Sequence, residues 1–223
     1  MDHAFWLERW QNNRIGFHEG RVNTHLENYW HQLDLAPGAR VFVPLCGKAR
    51  DLLWLRAQGH EVVGVEVSAI AVRDFFAEND LRPVVEQYED REYWQEDGFT
   101  LIRGDFFDIT PEEVAGCAGI FDRASLIALP PAMRADYAAH LKAILPGWAQ
   151  TLLVTLEYDP SEMDGPPFPV SEDEVRALYT DTWRVERLWP HRPAGDRLPP
   201  GPLLSGGDSG GAGCLRPREV DVQ

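Results

Sequence analysis

Four short segments carry side chains able to do chemistry together. In Gly64-Val65-Glu66-Val67-Ser68 a carboxylate stands between two valines, a costly position unless it has a partner. Glu66 follows Gly47, in Leu45-Cys46-Gly47-Lys48, by about 20 residues, the spacing at which an acidic side chain accepts ribose hydroxyl hydrogens in nucleotide-binding sheets. Gly104-Asp105-Phe106-Phe107-Asp108 offers a carboxylate for an adenine amino group and an aromatic ring to cover the base. Phe121-Asp122-Arg123 offers a guanidinium that can hold a ligand carboxylate through two parallel hydrogen bonds. Each segment also has a plain structural reading. Glu66 could be a solvated strand end, Asp105 a turn residue beside a core Phe106, and Arg123 an ion-pair partner of Asp122 or Asp105. Gly47 alone could be a structural turn, since a dinucleotide fingerprint needs three glycines.

Other chemistries find no support. There is no nucleophile elbow, Walker-type phosphate loop or metal-ligand spacing. The seven histidines do not cluster, and His60, after Gly59, reads as a solvated turn residue. Cys46 reads as packing rather than reacting. Lys48 and Asp51 read as residues that fix the loop and the helix start. The three cysteines, Cys46, Cys117 and Cys214, form no C-x-x-C pair, so no disulfide framework or zinc site is expected. That usage suits a reduced, cytoplasmic protein.

Positioning those segments requires strands that end at one edge. Residues 1–14 and 21–33 read as helices, with Leu26, Tyr29, Trp30 and Leu33 at helical spacing. Strands are expected at 40–45, 61–67, 100–107, 119–125, 151–158 and 183–188. Helices are expected at 49–58, 69–79, 131–145 and 171–179, the last opened by Ser171 and Glu174 as a capping box. Alternating strands and helices imply right-handed crossovers and an α/β fold, a Rossmann-like, mostly parallel sheet with helices on both faces. Near-continuous apolar strands fit a sheet buried on both sides. The charged, aromatic stretch 81–98 reads as an excursion beside the sheet.

The chain has 223 residues, 21 Lys+Arg against 36 Asp+Glu, and a formal charge of −15. Its 44% hydrophobic content suffices for one packed domain. The negative charge argues against nucleic-acid partners and anionic membrane surfaces. No apolar run is long enough to span a bilayer, and the N-terminus lacks the build of a signal peptide. Residues 189–223 carry four arginines and four carboxylates, so the whole net charge lies in residues 1–188. This tail is rich in Gly and Pro and reads as irregular or disordered, apart from a domain of residues 1–188.

Taken together, the motifs resemble the bacterial thiopurine S-methyltransferases, of the S-adenosylmethionine-dependent methyltransferase fold. The resembling residues are Trp6-Leu7-Glu8-Arg9-Trp10, Gly16-Phe17-His18, Val43-Pro44-Leu45-Cys46-Gly47-Lys48 with Asp51, Gly64-Val65-Glu66 and Phe121-Asp122-Arg123. Tyr158-Asp159-Pro160 and Gly165-Pro166-Pro167-Phe168 continue the likeness, which covers about residues 3 to 188. The resemblance implies S-adenosyl-L-methionine as cofactor, with Trp10, Leu45, Glu66 and Arg123 as its contacts and Asp105 and Phe106 on the adenine side. It implies that Phe17, Pro166 and Pro167 line the acceptor pocket. The implied acceptors are small aromatic or heterocyclic thiols, with oxidised selenium or tellurium compounds as further candidates.

The sulfonium donor is already activated and such thiols are partly ionised near neutral pH, so no catalytic acid or base is expected. In-line placement can supply roughly 7–11 kcal/mol. Closing Phe5, Trp6, Trp10 and Phe17 over the site would exclude water. A monomer is expected.

The resemblance also implies an antiparallel seventh strand after residue 188. Trp189-Pro190-His191-Arg192-Pro193 and its continuation read poorly as that strand, so it is expected to be missing or altered, leaving residues 183–188 unpaired. A shifted reading frame in GC-rich DNA would produce such a change; a neighbouring frame without family-like sequence would refute this. Three rivals stay open: a nicotinamide-dependent oxidoreductase, a cofactor-binding remnant without turnover, and a related halide or thiol methyltransferase.

Overall fold

The computed structural model describes residues 3–189 and 210–217. Helix α1 spans His3–Gln11 and α2 spans Thr24–Tyr29, continued by a 3-10 turn at Trp30–Gln32. Both fall inside the expected helical stretches. A nine-stranded sheet follows, in the order β3-β4-β5-β2-β1-β6-β7-β9-β8. Its parallel middle is β5 (Phe99–Arg103), β2 (Glu61–Glu66), β1 (Arg40–Val43), β6 (Cys117–Arg123) and β7 (Gln150–Leu156). Helices α3 (Arg50–Ala57), α4 (Ala69–Glu78), α5 (Pro131–Ile144) and α6 (Glu172–Tyr179) make the crossovers.

Burial explains the strand sequences. Both faces of the middle strands meet helices, so every residue of β2 after Glu61 is buried. One core holds Phe42, Val63, Val65, Ile102, Ile120 and Leu153 with residues of α5 and α6. The other holds Val41, Val43, Val62, Leu101, Phe121 and Leu152 with residues of α2, α3 and α4. The chain reverses direction across the sheet between β1 and β6, and in such folds ligands bind beyond the strand ends there.

Three local expectations change. The stretch 81–98 is part of the sheet: β3 (Val84–Tyr88) and β4 (Arg91–Glu96) form a hairpin whose β4 pairs antiparallel with β5. The edge strand β3 is exposed along its whole length and buries too little to show an apolar run. His60 is buried rather than solvated, accepting the Trp30 indole N–H at 3.0 Å. It thereby ties the N-terminal helices to the sheet. Ser171 caps α6 by accepting the Glu174 N–H at 3.2 Å, but the Glu174 carboxylate turns to the buried Arg134 instead of closing the box.

The sheet's far edge gives the largest correction. A strand occupies the position expected to be missing or altered. Residues Gly210–Pro217 form β9, antiparallel between β7 and β8 (Trp183–Trp189), so β8 has a partner. Cys214 and Leu215 bury their side chains there, and Arg216 donates to the Gln32 carbonyl at 2.7 Å. A central strand takes hydrogen bonds from both neighbours, and this compensates for weak strand-forming residues. The rest of the tail, 190–209 and 218–223, lies outside the described residues.

Candidate functional site

The loop after β1 is the centre of the site. Leu45 has φ +46 and Gly47 φ +54, turning the backbone sharply between β1 and α3. Gly47 is needed there twice over, since a Cβ would also meet Trp10 Cζ2 at 3.3 Å. At the end of β6, Ala124 also has a positive φ, +63. Two non-glycine residues thus adopt the left-handed region just beyond the ends of adjacent strands.

Glu66 ends β2 and is buried. Its Oε2 accepts the Gly47 N–H at 2.9 Å and its Oε1 accepts the Ser68 N–H at 2.8 Å. These bonds answer the cost noted from sequence. Each carboxylate oxygen keeps a further lone pair. Burial pushes the group above the ordinary carboxylate range, against the pull of those N–H donors. Cys46 packs beside it, and burial lifts its thiol so far that it stays protonated and unreactive.

Close packing holds this loop. A Cβ on Gly64 would lie 2.7 Å from both Cys46 Sγ and Leu101 Cδ2. Gly64→Ala should therefore overpack the β2–loop contact, costing about 1–3 kcal/mol. Urea unfolding should show the loss, and nucleoside affinity should drop with it because Cys46 is chained to Leu45 and Gly47.

Arg123, at the end of β6, is one strand removed from β2 across β1. Neither sequence-stated partner takes it: its Nη2 meets Glu19 Oε1 at 2.5 Å. Asp122 is spent elsewhere, accepting from Tyr137 Oη at 2.7 Å and from the Leu126 N–H at 3.3 Å. Complete burial holds its carboxyl up to about 6. A carboxyl raised in the folded state adds stability that is present at low pH and lost as pH rises from about 4 to about 6. Asp122→Asn keeps an acceptor for Leu126 but cannot titrate. Relative to wild type, this variant should gain on the order of 1 kcal/mol in urea stability between pH 5 and pH 7.5. Parallel pH profiles would disprove the assignment.

Asp105 follows β5. Its Oδ1 accepts the Phe107 N–H at 3.0 Å, and its Oδ2 lies 3.1 Å from His3 Nε2. Phe106 is buried with its ring stacked on Tyr137, centroids 4.7 Å apart, so one face is committed to the core. Phe107 is only partly buried.

The N-terminal segment supplies the aromatic wall. Trp6 and Trp10 make edge contacts with Phe17 at 5.4 and 5.6 Å, and Trp10 is buried against Gly47. Pro166 and Pro167 lie in a loop fixed from two sides: Tyr158 Oη donates to the Pro167 carbonyl at 2.5 Å, and the Phe168 N–H to Ile127 O at 2.7 Å. Asp51 and Lys48 tie neighbouring elements together, Asp51 reaching the start of α2 and Lys48 the end of α4. Asp51 accepts the Asn23 N–H at 2.7 Å, and Lys48 pairs with Glu78 at 2.6 Å. His18 lies in the field of Lys48, Arg123 and Arg50; burial first, then those cations, keep it below its ordinary value.

Sequence reasoning missed His3 and Glu19. No periodicity signals either one, because each meets its partner only across the folded strand ends. Among the described residues no His/Cys/Asp/Glu group could hold a metal, and no helix is long and apolar enough to cross a membrane.

The comparisons with known proteins agree. A family model for thiopurine S-methyltransferase matches residues 1–193. The chain is 52% identical over 188 residues to the thiopurine S-methyltransferase of Pseudomonas fluorescens (strain Pf0-1), spanning 84% of this chain and 86% of the relative. It is 51% identical over 188 residues to that of Pseudomonas putida (strain KT2440), spanning 84% and 87%. Among solved structures, the fold matches a 1,6-didemethyltoxoflavin-N1-methyltransferase of Burkholderia thailandensis with bound 1,6-didemethyltoxoflavin and S-adenosylhomocysteine. The TM-score is 0.64 at 15% identity, over 97% of this chain and 87% of that one. A methyltransferase of Anabaena variabilis, described as S-adenosylmethionine-dependent, gives a TM-score of 0.62 at 14% identity, over 98% and 96%. At such identities the likeness is one of fold. Half the residues shared with the Pseudomonas enzymes says more: the chain belongs to the thiopurine S-methyltransferase family and is an S-adenosylmethionine-dependent methyltransferase.

Proposed function

We infer that this methyltransferase acts on the sulfur of small aromatic or heterocyclic thiols. Membership of the thiopurine S-methyltransferase family supports the acceptor class, and the observation that carries the donor half is the buried Glu66 carboxylate, pinned by Gly47 and Ser68 one strand away from Arg123. The donor set suits the cofactor. Glu66 has lone pairs left for a ribose diol, Arg123 suits an α-carboxylate, and Asp105 suits an adenine amino group. Leu45 and Trp10 wall the nucleoside, and Phe106, held from the core side by its stacking on Tyr137, backs the adenine end.

S-adenosylmethionine, when bound, supplies a methyl group on a positively charged sulfur. The chain's own part is to place and to dry. Trp6, Trp10 and Phe17 exclude water, and the fixed Pro166-Pro167 loop with Phe17 borders the acceptor. No residue is assigned as a proton acceptor, because an acidic thiol arrives partly as thiolate.

The same reading makes the protein a cytoplasmic monomer, and it admits oxidised selenium or tellurium species as further soft acceptors. Labelled S-adenosylmethionine, offered with aromatic, heterocyclic and aliphatic thiols and with selenium compounds, tests it. Label should pass first to the aromatic and heterocyclic thiols. Transfer to aliphatic thiols or halide alone would overturn the acceptor class.

A further inference from the structure

The N-terminal segment reaches both ends of the candidate cofactor cleft with polar side chains. His3, on α1, meets Asp105 beyond β5; Glu19, after Phe17, meets Arg123 at the end of β6. Between these points the strand order is β5-β2-β1-β6, so the span is roughly 14 Å at the usual strand spacing. The segment crosses the strand ends with Trp10 lying on Gly47.

Arg123 is only 13% exposed, and a buried guanidinium without an anion is costly. Glu19 supplies that anion, yet its own side chain is 41% exposed. The carboxylates Asp51 and Glu27 also lie in this field, since Arg123 lowers the Asp51 carboxyl while Glu19 and Glu27 raise it. A second carboxylate brought to Arg123 would meet the repulsion of Glu19. Of the two, Glu19 can leave for water at little cost. Room for this exists: a Cβ on Gly16 or on Gly20, which flank residues 17–19, would meet nothing within 4 Å.

We propose that Glu19 is a cofactor-affinity residue: it holds Arg123 through Nη2 and is displaced when the cofactor's α-carboxylate takes that guanidinium. The inference rests on the assignment of Arg123 to the amino-acid end of S-adenosylmethionine. Displacement frees residues 17–20, so cofactor uptake and the position of Phe17 are coupled. Glu19 is a positioning residue, since it acts through Arg123.

Calorimetry with S-adenosylhomocysteine and with 5′-methylthioadenosine, which lacks the amino-acid end, tests the proposal on wild type and Glu19→Gln. Glu19→Gln lies in a half-exposed loop, and near-ultraviolet circular dichroism checks its fold. It should bind S-adenosylhomocysteine about three- to tenfold more tightly at low salt, with the gain shrinking at high salt. Its affinity for 5′-methylthioadenosine should change less than twofold. Unchanged S-adenosylhomocysteine affinity would overturn the proposal, and weaker affinity would do so by showing that Glu19 grips the ligand itself. If wild type binds both nucleosides equally, the Arg123 assignment falls. If it binds neither, the cleft assignment falls, and the proposal with it.

Discussion

Glu66→Gln should cut S-adenosylhomocysteine affinity by on the order of a hundredfold or more. The carboxylate takes the Gly47 and Ser68 N–H groups, and on the proposed reading it takes two ribose hydroxyls as well. Glutamine offers one oxygen and one NH2, so two donors face each other where an acceptor stood. Hydrogen bonds to a charged group contribute about 1.5–3 kcal/mol each, and losing the ribose pair accounts for the affinity. Losing one backbone partner should also destabilise the empty protein by about 1–3 kcal/mol. Burial raises the Glu66 carboxyl, so wild-type affinity should begin to fall on acidification at a higher pH than an exposed glutamate would give. The glutamine variant should lack that fall. Calorimetry across pH, with urea unfolding of the ligand-free protein, reads both effects. Wild-type affinity in the variant would remove Glu66 from the site.

Leu215→Asp should unfold most of the population or lower Tm by roughly 10–20 °C, since 1 kcal/mol is worth about 2–4 °C in a chain of this size. Leu215 is 1% exposed and pairs with Thr151 of β7 and Val185 of β8. The substitution gives up about 1.5–3 kcal/mol of apolar burial and brings a carboxylate into the core at a further cost of several kcal/mol. Against a typical net stability of about 5–15 kcal/mol, that is a large share. Leu215→Met, close in volume, should cost under about 1.5 kcal/mol. Thermal melts and the soluble fraction on expression distinguish the two. A Leu215→Asp protein that melts like wild type would mean that residues 210–217 do not join the sheet. The assignment matters because the family match runs over residues 1–193, and β9 lies beyond it.

Much of the site was readable because its signals are local. Strand ends at Glu66 and Arg123 follow from apolar runs that stop at polar residues, whereas β5 stops at Arg103, short of the expected 107, and leaves Asp105 to cap a 3-10 turn. The glycine at 47 follows from a tight strand-to-helix turn. The cost of a carboxylate between Val65 and Val67 anticipated a partner, and Gly47 and Ser68 are that partner. The hairpin of β3 and β4 was missed because an exposed edge strand has no apolar run to betray it. His60 was misread because a turn after glycine looks solvated until Trp30 folds over it.

The sequence by itself determined the alternation of strand and helix, and thereby the parallel middle of the sheet and the residues at its ends. Period and burial set these, and both act over a few neighbouring residues. Only the tertiary structure decided who meets whom. It gave Arg123 to Glu19 and Asp122 to Tyr137, sent Glu174 to Arg134, and seated a glycine-rich segment between β7 and β8. Such pairings join residues far apart in the chain. They are fixed by which groups burial leaves without water, a quantity that no local pattern contains.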